Sequence, residues 1–367
     1  LGGNAGLLNF SIEHARSFLD AASPYTAYQR NVLSLRYMNV FMKKSLPLTL
    51  EVGLNGSIGG YNSKADPDRS LDDYNKVKDN NVGGNIHLGW LLNKQWITNV
   101  DLTAAFTYAD RLSESYTNES SNATQPYIHT LTEGYNIAED YDKNPLANII
   151  LGPTGYWYLR GFNDSKPLNY SLKMKANWSK AFGKFRNRLL VGGEWTSSKN
   201  RGRGTYYADM RYAPSWREYR YDALPSLNNI AIYAENKLSM DVNERQNAEL
   251  TAGIREDITS VPGSEYGSVG SFSPRMNARY VFRFGQNSWL NSMTLHAGWG
   301  RSVKLPSFQV LYPSPSYRDM LAFASTSDAD NRSYYAFYTY PSMARYNANL
   351  KWQRADQWDL GVEWRTK

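Results

Sequence analysis

Apolar and polar residues alternate with period two along much of the chain. From Asn169 to Ser179, Tyr170, Leu172, Met174, Ala176 and Trp178 fall on one side, and Ser171, Lys173, Lys175, Asn177 and Ser179 on the other. Successive side chains of a β-strand point to opposite faces, so one face of this segment wants an apolar medium and the other wants water. The pattern recurs near Arg30–Lys43 and Pro47–Gly59, and around Ile86–Trp90, Val100–Tyr108 and Leu189–Trp195. It returns, weakly, near Asn228–Ser239, then around Leu250–Ile254, Met276–Phe284, Met293–Trp299 and Trp358–Trp364. About eleven strands are expected on this reading.

The connections alternate in length. Lys44-Ser-Leu, Asn93-Lys-Gln, Phe182-Gly-Lys, Asp241-Val-Asn-Glu and Gly285-Gln-Asn-Ser read as short turns. Between them lie long segments, Tyr61–Asn81, Ala109–Lys166, Asn200–Leu227, Thr259–Ser271 and Leu305–Asn349, which read as loops. Strict short–long alternation is the mark of a transmembrane antiparallel up-and-down β-barrel with short periplasmic turns and long extracellular loops. A soluble domain rarely carries several such loops on one side.

Composition fits that fold. The chain has 28 Tyr and 11 Trp, yet its mean hydropathy is −0.59; a wet lumen and aromatic girdles account for both. No apolar run is long enough for a membrane helix, and Leu1–Leu8 lacks the basic start of a signal peptide. With no cysteine, disulfides, thiolate nucleophiles and Cys-based metal sites are excluded. The net charge of +7 is scattered among acids and forms no block, so no nucleic-acid partner is expected.

Catalytic chemistry finds no support. His14, His87, His129 and His296 show no ligand spacing, and His87 and His296 fall on lumen-facing positions. Gly202-Arg-Gly204 lacks the third glycine and the helix of a phosphate loop. Asp66, Asp68, Asp72 and Asp73, and Asp328, Asp330 and Asn331, match no EF-hand spacing and read as solvated charge. No catalytic residue, metal site or cofactor is expected. Ligand binding is expected from long-segment aromatics: Tyr156, Trp157 and Tyr158; Tyr206, Tyr207, Tyr212 and Trp216 among Arg203, Arg211, Arg217 and Arg220; and Tyr334 and Tyr335. Such rings suit stacking on sugars, peptides or flat organic ligands, and the arginines suit carboxylate or phosphate; the same rings can instead pack loops together. Lys173, Lys175, Arg275, Arg279 and Arg283 must face the lumen, because each would cost about 2–4 kcal/mol against lipid at mid-bilayer.

Three stretches carry a family resemblance. The first is Ile232-Tyr-Ala-Glu-Asn-Lys-Leu, followed by Leu250-Thr-Ala-Gly-Ile-Arg-Glu-Asp and Phe272-Ser-Pro-Arg-Met-Asn-Ala-Arg-Tyr. The second is Gly300-Arg-Ser-Val-Lys-Leu-Pro-Ser-Phe-Gln-Val-Leu-Tyr312. The third is Asn347-Ala-Asn-Leu-Lys-Trp-Gln-Arg-Ala-Asp-Gln-Trp-Asp-Leu-Gly-Val-Glu-Trp364. In this order and spacing they resemble TonB-dependent outer-membrane receptors, and the Lys-Leu-Pro-Ser-Phe variant is similar to receptors of Bacteroides-type bacteria, including the SusC-like ones. Trp352-Gln353 departs from the family's Pro-Glu.

The resemblance implies a Gram-negative outer-membrane importer that is not an enzyme. It also implies a barrel of about 22 strands around a plug domain driven by the TonB-ExbB-ExbD motor, with a SusD-like surface lipoprotein as a further partner. Residues 1–367 are then expected to form an internal part of the barrel, about 11 strands, lacking plug, first strands and last strands. A passive porin or a soluble all-β binding protein are the alternatives.

Overall fold

The computed structural model describes residues 6–18, 26–42, 46–63, 72–263, 267–285, 288–305, 308–327, 329, 332–342 and 351–366. Nearly all the described structure is antiparallel β. The strands are β1 (Leu7–Phe18), β2 (Thr26–Phe41), β3 (Leu48–Ser63), β4 (Tyr74–Leu91), β5 (Asn99–Ser121), β6 (Pro126–Ile128), β7 (Gly134–Ile137), β8 (Ile149–Leu151), β9 (Gly155–Ser165) and β10 (Pro167–Phe182). They continue with β11 (Phe185–Asn200), β12 (Gly204–Tyr207), β13 (Leu227–Asn243), β14 (Gln246–Val261), β15 (Gly267–Arg283), β16 (Leu290–Lys304), β17 (Ser316–Ser327), β18 (Arg332–Ser342) and β19 (Gln353–Thr366).

Twelve of these strands form one wall in the order β1-β2-β3-β4-β5-β10-β11-β13-β14-β15-β16-β19, and β9 and β12 add to it beside β5. The wall is open, since β1 and β19 each pair on one side only. Eleven wall strands coincide with the alternating segments. The twelfth, β1, has only Leu8, Phe10 and Ile12 against Asn9, Ser11 and Glu13 before the alternation lapses at His14 and Arg16. Its pairing to β2 over the whole of Leu7–Phe18 supplies what the local pattern lacks.

Parts of two expected loops are strand instead. Within Tyr61–Asn81 and Thr259–Ser271, residues 61–63, 74–81, 259–261 and 267–271 belong to β3, β4, β14 and β15, whose pairing continues far beyond the apolar band. Tyr156–Tyr158 likewise sit on β9, Tyr206 and Tyr207 on β12, and Tyr334 and Tyr335 on β18. Polar residues pair in a sheet as readily as apolar ones, so loss of greasy alternation marks the membrane edge and not the strand end. The turns at the opposite end stay short. At Phe182–Phe185 two residues close the hairpin, and Gly183, at φ 57°, takes the left-handed position a two-residue hairpin turn needs.

The two faces of the wall have opposite polarity. On one, Ile12, Ile58, Met174, Ile232, Ile254, Met276 and Leu360 are exposed, Met174 at 54%. No second layer covers them among the described residues. The apolar side chains are therefore held in the open, which water would oppose at about 25 cal/mol per Å² and a bilayer would not. From Trp178 to Tyr170 is roughly 27 Å of strand at 3.4 Å per residue, or about 21 Å of height at the usual barrel tilt. That matches the apolar band of an outer-membrane barrel.

Buried apolar residues lie mostly at the other end of the molecule. Val261, Leu311 and Tyr312 form one cluster with Leu224, Leu227 and Leu305, and Ile128, Ile149 and Ile150 are buried in the small β6-β8 sheet. A third sheet, β17-β18-β7, stands beside them. This is a folded extracellular superstructure with its own small cores.

Candidate functional site: the polar face and the extracellular clasp

The polar face of the wall carries the predicted cations, and cross-strand register places a carboxylate beside most of them. Lys173 opposes Glu194 directly in the β10–β11 register, with Nζ 3.7 Å from Oε2. Lys175 lies 3.9 Å from Asp101, and Arg279 lies 4.0 Å from Glu249, which Lys237 approaches at 3.1 Å. Arg275 pairs with Glu235, and Arg255 bridges Glu194 and Asp257 at 3.2 and 2.7 Å. Arg283 is exposed near the turn end of β15 without a carboxylate partner among the described residues. His87 and His296 are on this face too, at 3.5 Å from Asp101 and 3.4 Å from Asp359. The cations thus form a mixed-charge lattice within the wall. Alternation predicts the face of each residue but not its neighbour on the next strand.

At the extracellular end of the polar face is a cavity of about 690 Å³. Thr107, Asn169, Thr196, Asn229, Arg255 and Trp352 are among its lining residues.

The pleat divides the predicted aromatics between two sides. Tyr158 lies on the apolar side's continuation above the membrane. It stacks on Tyr116 at 4.6 Å, which stacks on Tyr74 at 5.0 Å, and its hydroxyl donates to Asp72 Oδ2 at 3.0 Å. Tyr206 stacks on Phe162 at 4.8 Å under the Arg203 guanidinium. Tyr156 shares that side and is 84% exposed. Trp157, one residue away, points to the opposite side with Tyr207, as the β5–β9 and β9–β12 registers require. There Trp157 meets Tyr212 at 6.5 Å and Tyr207 meets Trp216 edge-on at 5.7 Å. The Trp157 indole N–H is buried without an acceptor among the described residues. Tyr334 and Tyr335 alternate across β18, Tyr334 exposed.

The arginines among these rings already have carboxylates. Arg211 holds Asp209 at 2.6 Å, Arg220 holds Asp222 at 2.6 Å and Arg203 holds Glu218 at 3.2 Å. Burial pushes the Asp209 carboxyl up, but its hydrogen bonds from Arg211 outweigh that and leave it below the ordinary carboxylate range. The hydrogen bonds from Arg220 lower Asp222 directly.

One group of residues was not foreseen. Arg217 donates to Asp319 Oδ1 at 2.6 Å and to the Thr130 carbonyl at 3.2 Å, and it covers the Tyr317 ring at 4.7 Å. Thr339 donates to the same Asp319 oxygen at 2.8 Å. His129 Nδ1 lies 3.1 Å from the Trp216 carbonyl; since a carbonyl only accepts, Nδ1 carries the proton. Tyr219 donates to the Tyr312 carbonyl at 2.6 Å, and Tyr312 donates to the Pro262 carbonyl at 2.8 Å. The Gly300–Tyr312 motif thus ends in the buried anchor of the extracellular segments. No local signal marks Asp319, because its partner is 102 residues away.

Asp72 accepts from Tyr158, and Asp73 accepts from the Asn118 amide at 2.8 Å. Asp66, Asp68, Asp328, Asp330 and Asn331 lie outside the described residues. Among the described residues no cluster of His, Asp and Glu is placed to hold a metal ion.

A membrane-exposed apolar side, a charged opposite side, short turns at one end and folded segments at the other define an outer-membrane β-barrel wall. The model of the family "TonB dependent receptor-like, beta-barrel" matches residues 17–367, and the chain belongs to that family. It is a family of outer-membrane receptors, not of enzymes, and in its barrels the polar side lines the lumen. Among solved structures the chain is similar to the copper transporter OprC, at 13% identity and a TM-score of 0.45, over 84% of this chain and 43% of that one. It is also similar to the RagAB peptide transporter, at 13% identity and a TM-score of 0.49, over 98% of this chain and 41% of that one. The chain therefore spans less than half the length of either. No curated protein matches it.

Proposed function

We propose that this chain is part of the barrel of an importer that takes up a large nutrient across the outer membrane, energised by TonB. The observation that carries this reading is the inverted polarity of the wall together with its family membership. The apolar side is solvated by lipid, and a lattice of paired charges with a cavity above it lines the path of the ligand. The ligand class is a glycan, a peptide or an iron chelate, held by the inward rings Trp157, Tyr207, Tyr212 and Trp216. Tyr156, Tyr334 and Tyr335 contribute at the outer surface.

A plug domain of the same protein, outside this chain, packs against Lys173, Lys175, Arg275, Arg279 and Arg283. Of these, Arg283 is the cation most open to an acid of the plug, because the other four already have wall partners. The TonB-ExbB-ExbD motor pulls the plug, and a SusD-like lipoprotein covers the extracellular segments. Residues 1–367 are then a partial barrel, with plug and remaining strands supplied by the rest of the protein.

The test is growth of the source bacterium on a nutrient whose uptake is lost when the receptor is deleted. Restoration by the full-length receptor only when TonB is present is the expected result. Restoration in a TonB-deleted strain, with steady conductance in planar bilayers, would make this a passive channel.

A further inference from the structure

The extracellular segments hold a cavity of about 340 Å³ that shares no lining residue with the larger one above the charge lattice. Four rings line it: Trp216, Tyr219, Tyr221 and Tyr317. Each has a neighbour that fixes it. Tyr219 donates to the Tyr312 carbonyl at 2.6 Å and stands edge-on to Tyr221 at 6.1 Å. Trp216 stands edge-on to Tyr207 at 5.7 Å, and its carbonyl accepts from His129 Nδ1 at 3.1 Å. Tyr317 lies under the Arg217 guanidinium at 4.7 Å. Rings already held in place lose little freedom when a ligand stacks on them.

Polar groups with hydrogen bonds to spare line the same cavity. Arg217 donates through Nε and Nη2, and its Nη1 makes no hydrogen bond among the described residues. Glu218 meets Arg203 at 3.2 Å and Arg220 at 3.9 Å, both through Oε1, so Oε2 is left to accept. The exposed Thr205 and Ser314 hydroxyls make no hydrogen bond among the described residues. Donors and acceptors beside apolar rings suit a sugar ring, whose C–H face stacks and whose neighbouring hydroxyls both donate and accept. The charges are balanced: Arg217 has Asp319, Arg220 has Asp222 and Arg203 has Glu218. An anionic ligand therefore finds no uncompensated cation here. A peptide finds little strand edge to extend, since only Thr205 and Tyr317 of the lining residues lie in strands. The volume is at the small end for a ligand pocket.

We propose that this cavity binds one uncharged pyranose residue of a glycan, with its hydroxyls bonded to Glu218 Oε2 and Arg217 Nη1. The rest of the glycan extends outside. The site is a capture point in the extracellular segments, separate from the cavity above the lattice, and it narrows the cargo to a neutral glycan. Naming a cargo rests on the importer reading; binding of the sugar does not.

The full-length receptor in detergent, laid over an array of neutral glycans, acidic glycans and peptides, tests it. Retention on neutral glycans alone is expected, and calorimetry with the best of them then gives its affinity. Ser314→Phe, which fills the cavity, should abolish binding. Tyr221→Leu and Glu218→Gln should each weaken it about tenfold. Hydrogen exchange at 126–132 equal to that of the parent reports that each variant keeps its extracellular fold. No neutral glycan retained, acidic glycans or peptides retained in preference, or unchanged affinity in folded Ser314→Phe would each overturn the proposal. Growth on the retained glycan is scored separately with and without TonB. Binding that survives while growth shows no need of TonB would uphold this site and remove the importer reading.

Discussion

The Arg217 guanidinium meets the Asp319 carboxylate at 2.6 Å, with side chains only 12% and 17% exposed. It joins the segment after β12 to β17, and through Thr130 it reaches the segment after β6. Removing one partner of such a pair strands a charge in a half-dry site, at a cost of about 3 kcal/mol. Arg217→Met is therefore expected to loosen the extracellular clasp while leaving the barrel intact. Hydrogen exchange should rise by two orders of magnitude at 126–132 and 316–320, with the melting of the wall unchanged. Equal exchange in variant and parent would contradict the clasp.

The polarity of the wall predicts asymmetric mutational costs within one strand. Met174 lies midway between Tyr170 and Trp178 on the exposed apolar side, and Met174→Arg should cost about 2–4 kcal/mol in a folding titration from urea into bilayers. The neighbouring Lys175 has a loose partner, 3.9 Å away, so Lys175→Met should change stability by about 0.5 kcal/mol or less. A reversed order would place the wrong side against lipid.

Gly192 lies beneath the Tyr233 ring, whose atoms come within 2.5 Å of a Cβ built on it. Gly192→Val should displace the ring and cost about 1–3 kcal/mol. Pairing it with Tyr233→Ala should recover part of that loss. A double-mutant cycle on the urea midpoint measures the coupling, and purely additive effects would show that the ring does not fill this gap.

Burial holds the His129 imidazole below its ordinary pKa, against the raising effect of its bond to the Trp216 carbonyl. A depressed folded pKa means the unfolded clasp takes up the proton first. Its stabilisation is full above about pH 6.5, the unfolded value, and is lost as pH falls through the lower folded value. Opening of the clasp should increase as pH falls below about 6.5, the unfolded value, read by exchange at 126–132. His129→Asn should flatten that dependence. An unchanged slope in the variant would place the titrating group elsewhere.

The alternation alone marks eleven of the twelve wall strands, the short turns and the side that residues of those eleven strands take. That information is local, because a strand's two faces are set by its own period and by the media on either side. What stands beside each residue comes from the folded chain: Glu194 beside Lys173, the Tyr158 ring on Tyr116, Asp319 beneath Arg217. These depend on register between strands and on chain returns of up to a hundred residues. The folded chain also decided that β1 is a strand and that β9, β12 and β18 are strands and not loops, since backbone pairing with a neighbour can hold an extended segment whose own sequence gives no apolar rhythm.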